Sequence, residues 1–159
     1  MSASTPAMTD APFQFLDPGP LRDRELVLMC VKHVPADPER GLVPYYMFDM
    51  RVRYQTVGHI NLRIGNTDHI VLHAGHIGYG VDPAHRGHHY AERAARLLFP
   101  LARQHGINPL WITCNPENIP SRRTCQRLGG EMVGIIDLPP DTEMYKRGER
   151  QKCRYRFDL

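Results

Sequence analysis

Apolar and polar positions along the chain follow two different periods, and the change falls near residue 82. Before it the period is two. In "VGHINLRIG", residues 57–65, Ile60, Leu62 and Ile64 alternate with His59, Asn61 and Arg63, the pattern of a half-buried strand. "YYMFDMRV", residues 45–52, alternates in the same way, and the apolar, β-branched "ELVLMCVKHV", residues 25–34, predicts a strand before it. Between these two lies "PADPERGLVP", punctuated as a loop by Pro35, Pro38, Gly41 and Pro44. Residues 69–81 read as a turn followed by a strand ending at Val81. Beyond residue 82, Ala91, Ala94, Ala95, Leu98, Leu101 and Ala102 recur at three and four residues, the stripe of an amphipathic helix. Pro100 predicts a kink in it, and Gly106 marks its end. "PLWITCN" predicts a short buried strand, and "NIPSRRTCQRLGG" a shorter helix with a glycine stop. "EMVGIIDLP" and "QKCRYRFDL" predict two closing strands around a polar loop. The order is four strands, helix, strand, helix and two strands. It predicts an α/β (α+β) single domain around one central, mostly antiparallel mixed sheet of about seven strands, flanked by helices.

Composition narrows the function classes. A chain of 159 residues, 42% hydrophobic and 23% charged, fits one globular domain with its own core. The formal net charge of +3, with no stripe of Lys and Arg, argues against a nucleic-acid partner. No apolar run reaches the length of about 20 residues that a membrane helix needs, so no membrane partner is expected. Residues 1–20, rich in Ser, Thr, Ala and Pro, predict a flexible tail or loosely docked arm ahead of a domain spanning 21–159. "MSASTPAMTDAPFQF" lacks the basic start and apolar block of a signal peptide. Cys30, Cys114, Cys125 and Cys153 form no C-x-x-C pair and predict reduced thiols in a cytoplasmic protein. The histidines number nine, but no H-E-x-x-H or similar spacing accompanies them, so no metal site is expected.

The chemistry concentrates at "RGHHYA", residues 86–91, between the strand ending at Val81 and the long helix. A helix start leaves its first N–H groups unpaired and partially positive, which suits an anion. Gly87 permits close approach of the backbone, and Arg86 offers a planar donor fork for phosphate. These residues read as a phosphate cradle. With "GHIGYGVDPAHRGHHYAERAARLLF" before and "LWITCNPENIPSRRTCQRLGG" after, the sequence resembles the GNAT superfamily of N-acetyltransferases over roughly residues 57–136. Arg86 and Ala91 match the first and last positions of the family's R/Q-x-x-G-x-G/A loop. His89 stands where the family has its central glycine. It should therefore keep ordinary helical angles with its ring turned aside, or touch the phosphate itself.

The resemblance implies a GNAT-like fold and acetyl-coenzyme A as cosubstrate, with direct transfer to a primary amine on a small molecule or peptide. Arg86, Gly87, His88, His89, Tyr90 and Ala91 would hold the pyrophosphate. The backbone near Tyr79 to Val81 would pair with the pantetheine arm as an added strand would, and Asn118 and Ser121 would contact the cofactor from the second helix. His76 aligns where many relatives carry an acidic base, and an imidazole suits that task. Cys125 aligns with the family's thiolate-protonating tyrosine, with Tyr79 a further candidate and simple packing the competing role for each. Family members usually have helices where only "PADPERGLVP" stands here, so the acceptor site should be open, or covered by the tail or by a second subunit of a homodimer. Two other functions remain: a coenzyme A-binding module that senses without catalysing, and a histidine-based metal-binding protein.

Overall fold

The computed structural model describes residues 13–159. Eight strands and three helices follow the expected order: β1 (Leu21–Asp23), β2 (Leu26–Val34), β3 (Tyr45–Val52), β4 (Gln55–Arg63), β5 (Ile77–Val81), α1 (Tyr90–Gln104), β6 (Leu110–Cys114), α2 (Ile119–Arg127), β7 (Glu131–Asp137), α3 (Glu143–Lys146) and β8 (Gln151–Phe157). β1 and α3 are too short to leave a periodic signature.

The expected single sheet is two. Strands β1-β2-β3-β4-β5 form one five-stranded sheet and β6-β8-β7 a three-stranded one, every pairing antiparallel. They meet where β5 and β6 begin. The His76 N–H donates to the Trp111 carbonyl at 2.7 Å, and the Trp111 N–H donates to His76 Nδ1 at 2.9 Å. No ladder joins β5 to β6 beyond this point, so the sheets part and leave a cleft. Alternation specifies which face of a strand is buried, but not which strand it pairs with.

One face of the large sheet carries the core. Leu26, Leu28, Tyr46, Phe48, Met50, Ile60 and Leu62 pack there against Ala94, Ala95, Leu98, Leu101 and Ala102 of α1. The alanines let the helix approach closely, as near-native packing density requires. Helix α1 continues through Pro100, which is exposed. Its first turn is fastened to the β1–β2 turn by Arg93, which donates to Asp23 at 2.5 Å and to both Glu25 oxygens at 2.9 and 3.1 Å. Residues 13–20 lie against the core. The Phe15 ring stacks on His33, and the Leu16 N–H donates to the Tyr46 hydroxyl at 2.8 Å. Residues 1–12 of the expected tail fall outside the described residues. β2 and β3 are joined by a single helical turn, Pro38–Arg40, and β4 and β5 by a helical segment, His69–Ala74, beyond whose end Arg63 donates to the Ala74 and Gly75 carbonyls at 3.4 and 3.1 Å. Among the described residues no helix is long and apolar enough to cross a membrane.

Candidate active site

The gap between the sheets opens into a cleft of about 400 Å³, lined by Tyr79, Gly80 and Val81 of β5, by His85, Arg86, Gly87, His89, Tyr90 and Ala91, and by Asn118, Pro120, Ser121, Arg123, Thr124 and Arg127 along α2. Every residue expected to hold the cofactor is there except His88, whose ring stacks on Tyr90 with centroids 5.1 Å apart. Sequence reading missed His85, Arg123, Thr124 and Arg127. Arg123 and Arg127 sit one turn apart on α2, a spacing that would have placed both on one face.

The cradle is built from backbone. Gly87 adopts φ 97°, a left-handed conformation in which a side chain would be strained. His89 caps α1 at φ 58° and ψ 31°. It therefore does not keep ordinary helical angles: it takes the left-handed angles a glycine would take, and keeps its side chain. The Arg93 N–H bonds the His89 carbonyl at 2.9 Å, while the amides of residues 87–92 before it meet no protein acceptor among the described residues. These amides, the positive end of α1 and the Arg86 guanidinium make a strongly anion-seeking surface. Arg86 is held in place by donating from Nε to the Val81 carbonyl at 3.2 Å.

Across the cleft, Asn118 caps α2 by accepting from the Ser121 N–H at 3.3 Å. The Ser121 hydroxyl meets the Tyr79 hydroxyl at 2.6 Å and ties β5 to α2. Burial pushes the Tyr79 hydroxyl well above its ordinary range. Cys125 is fully buried, does not line the cleft, and is likewise pushed far up by burial among Cys114 and Cys153. Its packing matches that of a small hydrophobe.

His76 is fully buried, and burial pulls its imidazole down to about 4. Nδ1 accepts from the Trp111 N–H, and Nε2 lies 3.0 Å from Asn66 Oδ1, which makes Nε2 the protonated nitrogen. A general base needs a lone pair within reach of the reacting group. This ring has none free: its one lone pair joins the two sheets. No group of three or more His, Cys, Asp or Glu gathers at metal-ligand spacing among the described residues.

The chain belongs to the GNAT acetyltransferase family, since that family's acetyltransferase (GNAT) domain model matches residues 5–131. No curated protein matches the sequence. Among solved structures it is similar to the microcin C7 self-immunity acetyltransferase MccE in complex with acetyl-CoA and AMP, at 17% identity and TM-score 0.57 over 72% of this chain and 61% of that one. A Salmonella typhimurium acetyltransferase that modifies the N-terminal serine of ribosomal protein L7/L12 gives 17% identity and TM-score 0.57 over 76% and 66%. Mycobacterium smegmatis RimJ in complex with CoA-disulfide gives 19% and 0.57 over 72% and 53%. The chain thus spans less than two thirds of each of these structures, and at such identities the likeness is one of fold.

Proposed function

We propose that this protein transfers an acetyl group from acetyl-coenzyme A to an amine. The observation that carries the reading is the convergence of three donor sets on one cleft: the unpaired amides of Gly87, His89, Tyr90 and Ala91, the Arg86 guanidinium, and the β5 edge at Tyr79 to Val81. That convergence suits a ligand with a pyrophosphate at one end and an amide-bearing arm at the other. The amides and Arg86 bind the pyrophosphate. The pantetheine arm pairs with β5 as an additional strand would, and a strand N–H polarises the thioester carbonyl. Asn118 and Ser121 shape the α2 wall, and Tyr79 is held to that wall by its hydroxyl. His76 keeps the sheets joined where they part, so that the thioester has a fixed position. Cys125 packs behind α2.

The test follows thiol release from acetyl-CoA with and without added amine. Release that depends on the amine is expected, with the Michaelis constant for acetyl-CoA raised about tenfold or more in Arg86→Ala, since a charge-assisted contact contributes roughly 1.5–3 kcal/mol. Amine-independent binding with no transfer would instead make the protein a coenzyme A sensor.

A further inference from the structure

The face of the large sheet turned away from α1 carries a guanidinium without a counter-ion. Arg63 closes β4 and is half-buried. Its Nη1 donates to the Ala74 and Gly75 carbonyls at 3.4 and 3.1 Å. None of the ion pairs among the described residues includes it. Burial works against its charge, and a half-buried charge without an opposite charge is costly. A lysine could serve those carbonyls. It could not supply the rest of the fork: Nε and Nη2 donate to nothing among the described residues. These nitrogens are not sealed in, because the buried side-chain atoms left without partners there are Asn61 Oδ1, His73 Nδ1 and the Tyr155 hydroxyl.

Position gives the fork its use. Arg63 Nη2 lies over Gly78, where an added Cβ would meet it at 3.0 Å. Gly78 falls between the His76 junction, where the sheets part, and the Tyr79 to Val81 edge of the cofactor cleft. The fork therefore stands at the end of the cleft where the proposed transfer puts the thioester. A second cation flanks the same helical segment. Arg154 donates from Nε and Nη2 to the Val71 carbonyl at 3.3 and 3.0 Å, rests over the Trp111 ring at 4.2 Å, and has no ion pair among the described residues either. The acids that bear on this segment, Asp68 and Asp141, are exposed and pair with neither arginine. Asp49 stands across from His59, four residues back along β4. The field at Gly78 is positive, and it selects for an anion.

We propose that the acceptor is an α-amino acid, an amine with a carboxylate beside it, and that Arg63 grips the carboxylate through Nε and Nη2. This rests on the acetyl transfer proposed above. A guanidinium and a carboxylate match as two parallel N–H···O bonds. That match supplies the missing counter-ion, fixes the acid end of the acceptor, and turns the neighbouring amine toward the thioester. An amine without a carboxylate gains nothing from Arg63. A peptide amine, whose neighbouring carboxyl is tied up in an amide, is disfavoured on the same ground.

The experiment measures thiol release from acetyl-CoA with glycine and with glycinamide, alongside calorimetric binding of acetyl-CoA. The probes share an amine and differ in whether a carboxylate stands beside it. Glycinamide has the less basic amine, so without the grip of Arg63 it would be the better acceptor. The wild type is expected to favour glycine by about tenfold or more in kcat/KM. Arg63→Gln is expected to raise the glycine KM about tenfold, to leave glycinamide transfer nearly unaffected, and to bind acetyl-CoA as the wild type does. A fork that only caps the Ala74 and Gly75 carbonyls would weaken transfer to both probes alike. Such equal losses, or wild-type transfer to glycinamide as efficient as to glycine, would overturn this inference and leave the acetyl-transfer reading standing. The wild-type comparison decides even where the variant does not fold. A wild-type protein that binds acetyl-CoA yet transfers to neither probe would overturn both.

Discussion

Replacing His89 with glycine should make this protein more stable. His89 sits at φ 58° and ψ 31°, inside the left-handed region. There the Cβ of an L-residue crowds the following carbonyl, at a cost of roughly 1–2 kcal/mol. Glycine escapes that cost but adds backbone freedom to the unfolded chain, about 0.5–1 kcal/mol in the other direction. The His89 side chain makes no capping hydrogen bond that the substitution would remove. The net expectation is a gain of about 0.5–1 kcal/mol, or a rise of about 1–4 °C in Tm for a domain of this size. The cradle should survive, because its ligands are amides whose positions depend on these same angles. Thermal denaturation and acetyl-CoA titration on His89→Gly and His89→Ala check both parts. Alanine keeps the Cβ and should not share the gain. A glycine variant that melts lower, or that binds acetyl-CoA ten times more weakly, would refute the reasoning and show that the imidazole itself grips the phosphate.

Three other expectations follow from buried and paired groups. His76→Ala should cost about 2–4 kcal/mol in denaturant unfolding, because the Trp111 N–H loses its acceptor where the sheets join. The folded state resists protonating His76, so its contribution is complete above pH 6.5 and is lost as pH falls toward about 4, an effect of about 3 kcal/mol that should vanish in the variant. Glu25 is held down at about 2 chiefly by its hydrogen bonds with Arg93, so its contribution is present above pH 4.5 and fades as pH falls from there toward 2. Wild type should be the more stable above pH 4.5 by a constant margin over Glu25→Gln, and that margin should shrink only within this window. Cys125→Ser places a hydroxyl in a fully buried apolar position and should destabilise by about 1–3 kcal/mol. Turnover per folded molecule should stay unchanged, and a selective loss of turnover would restore the thiol as a proton donor.

What could be read from the residues was local. The α1 stripe announces itself because its repeat matches the helix period, and the 86–91 cradle because its donors are consecutive. What escaped depends on partners far along the chain. His76 looks like a base in isolation, and its structural role appears only once Trp111, 35 residues on, is brought to its Nδ1. The division into two sheets depends on that same junction. His89 misled because left-handed angles are rare for any residue with a Cβ, so the histidine gave no sign of keeping a glycine's conformation.

The most direct test is a calorimetric titration of acetyl-CoA into wild-type protein and Arg86→Ala. The account predicts binding near the micromolar range, about −8 kcal/mol, in the wild type and a loss of about tenfold in the variant. No heat from the wild type, or equal affinity in both, would contradict the claim that the cleft between the two sheets is a coenzyme A site.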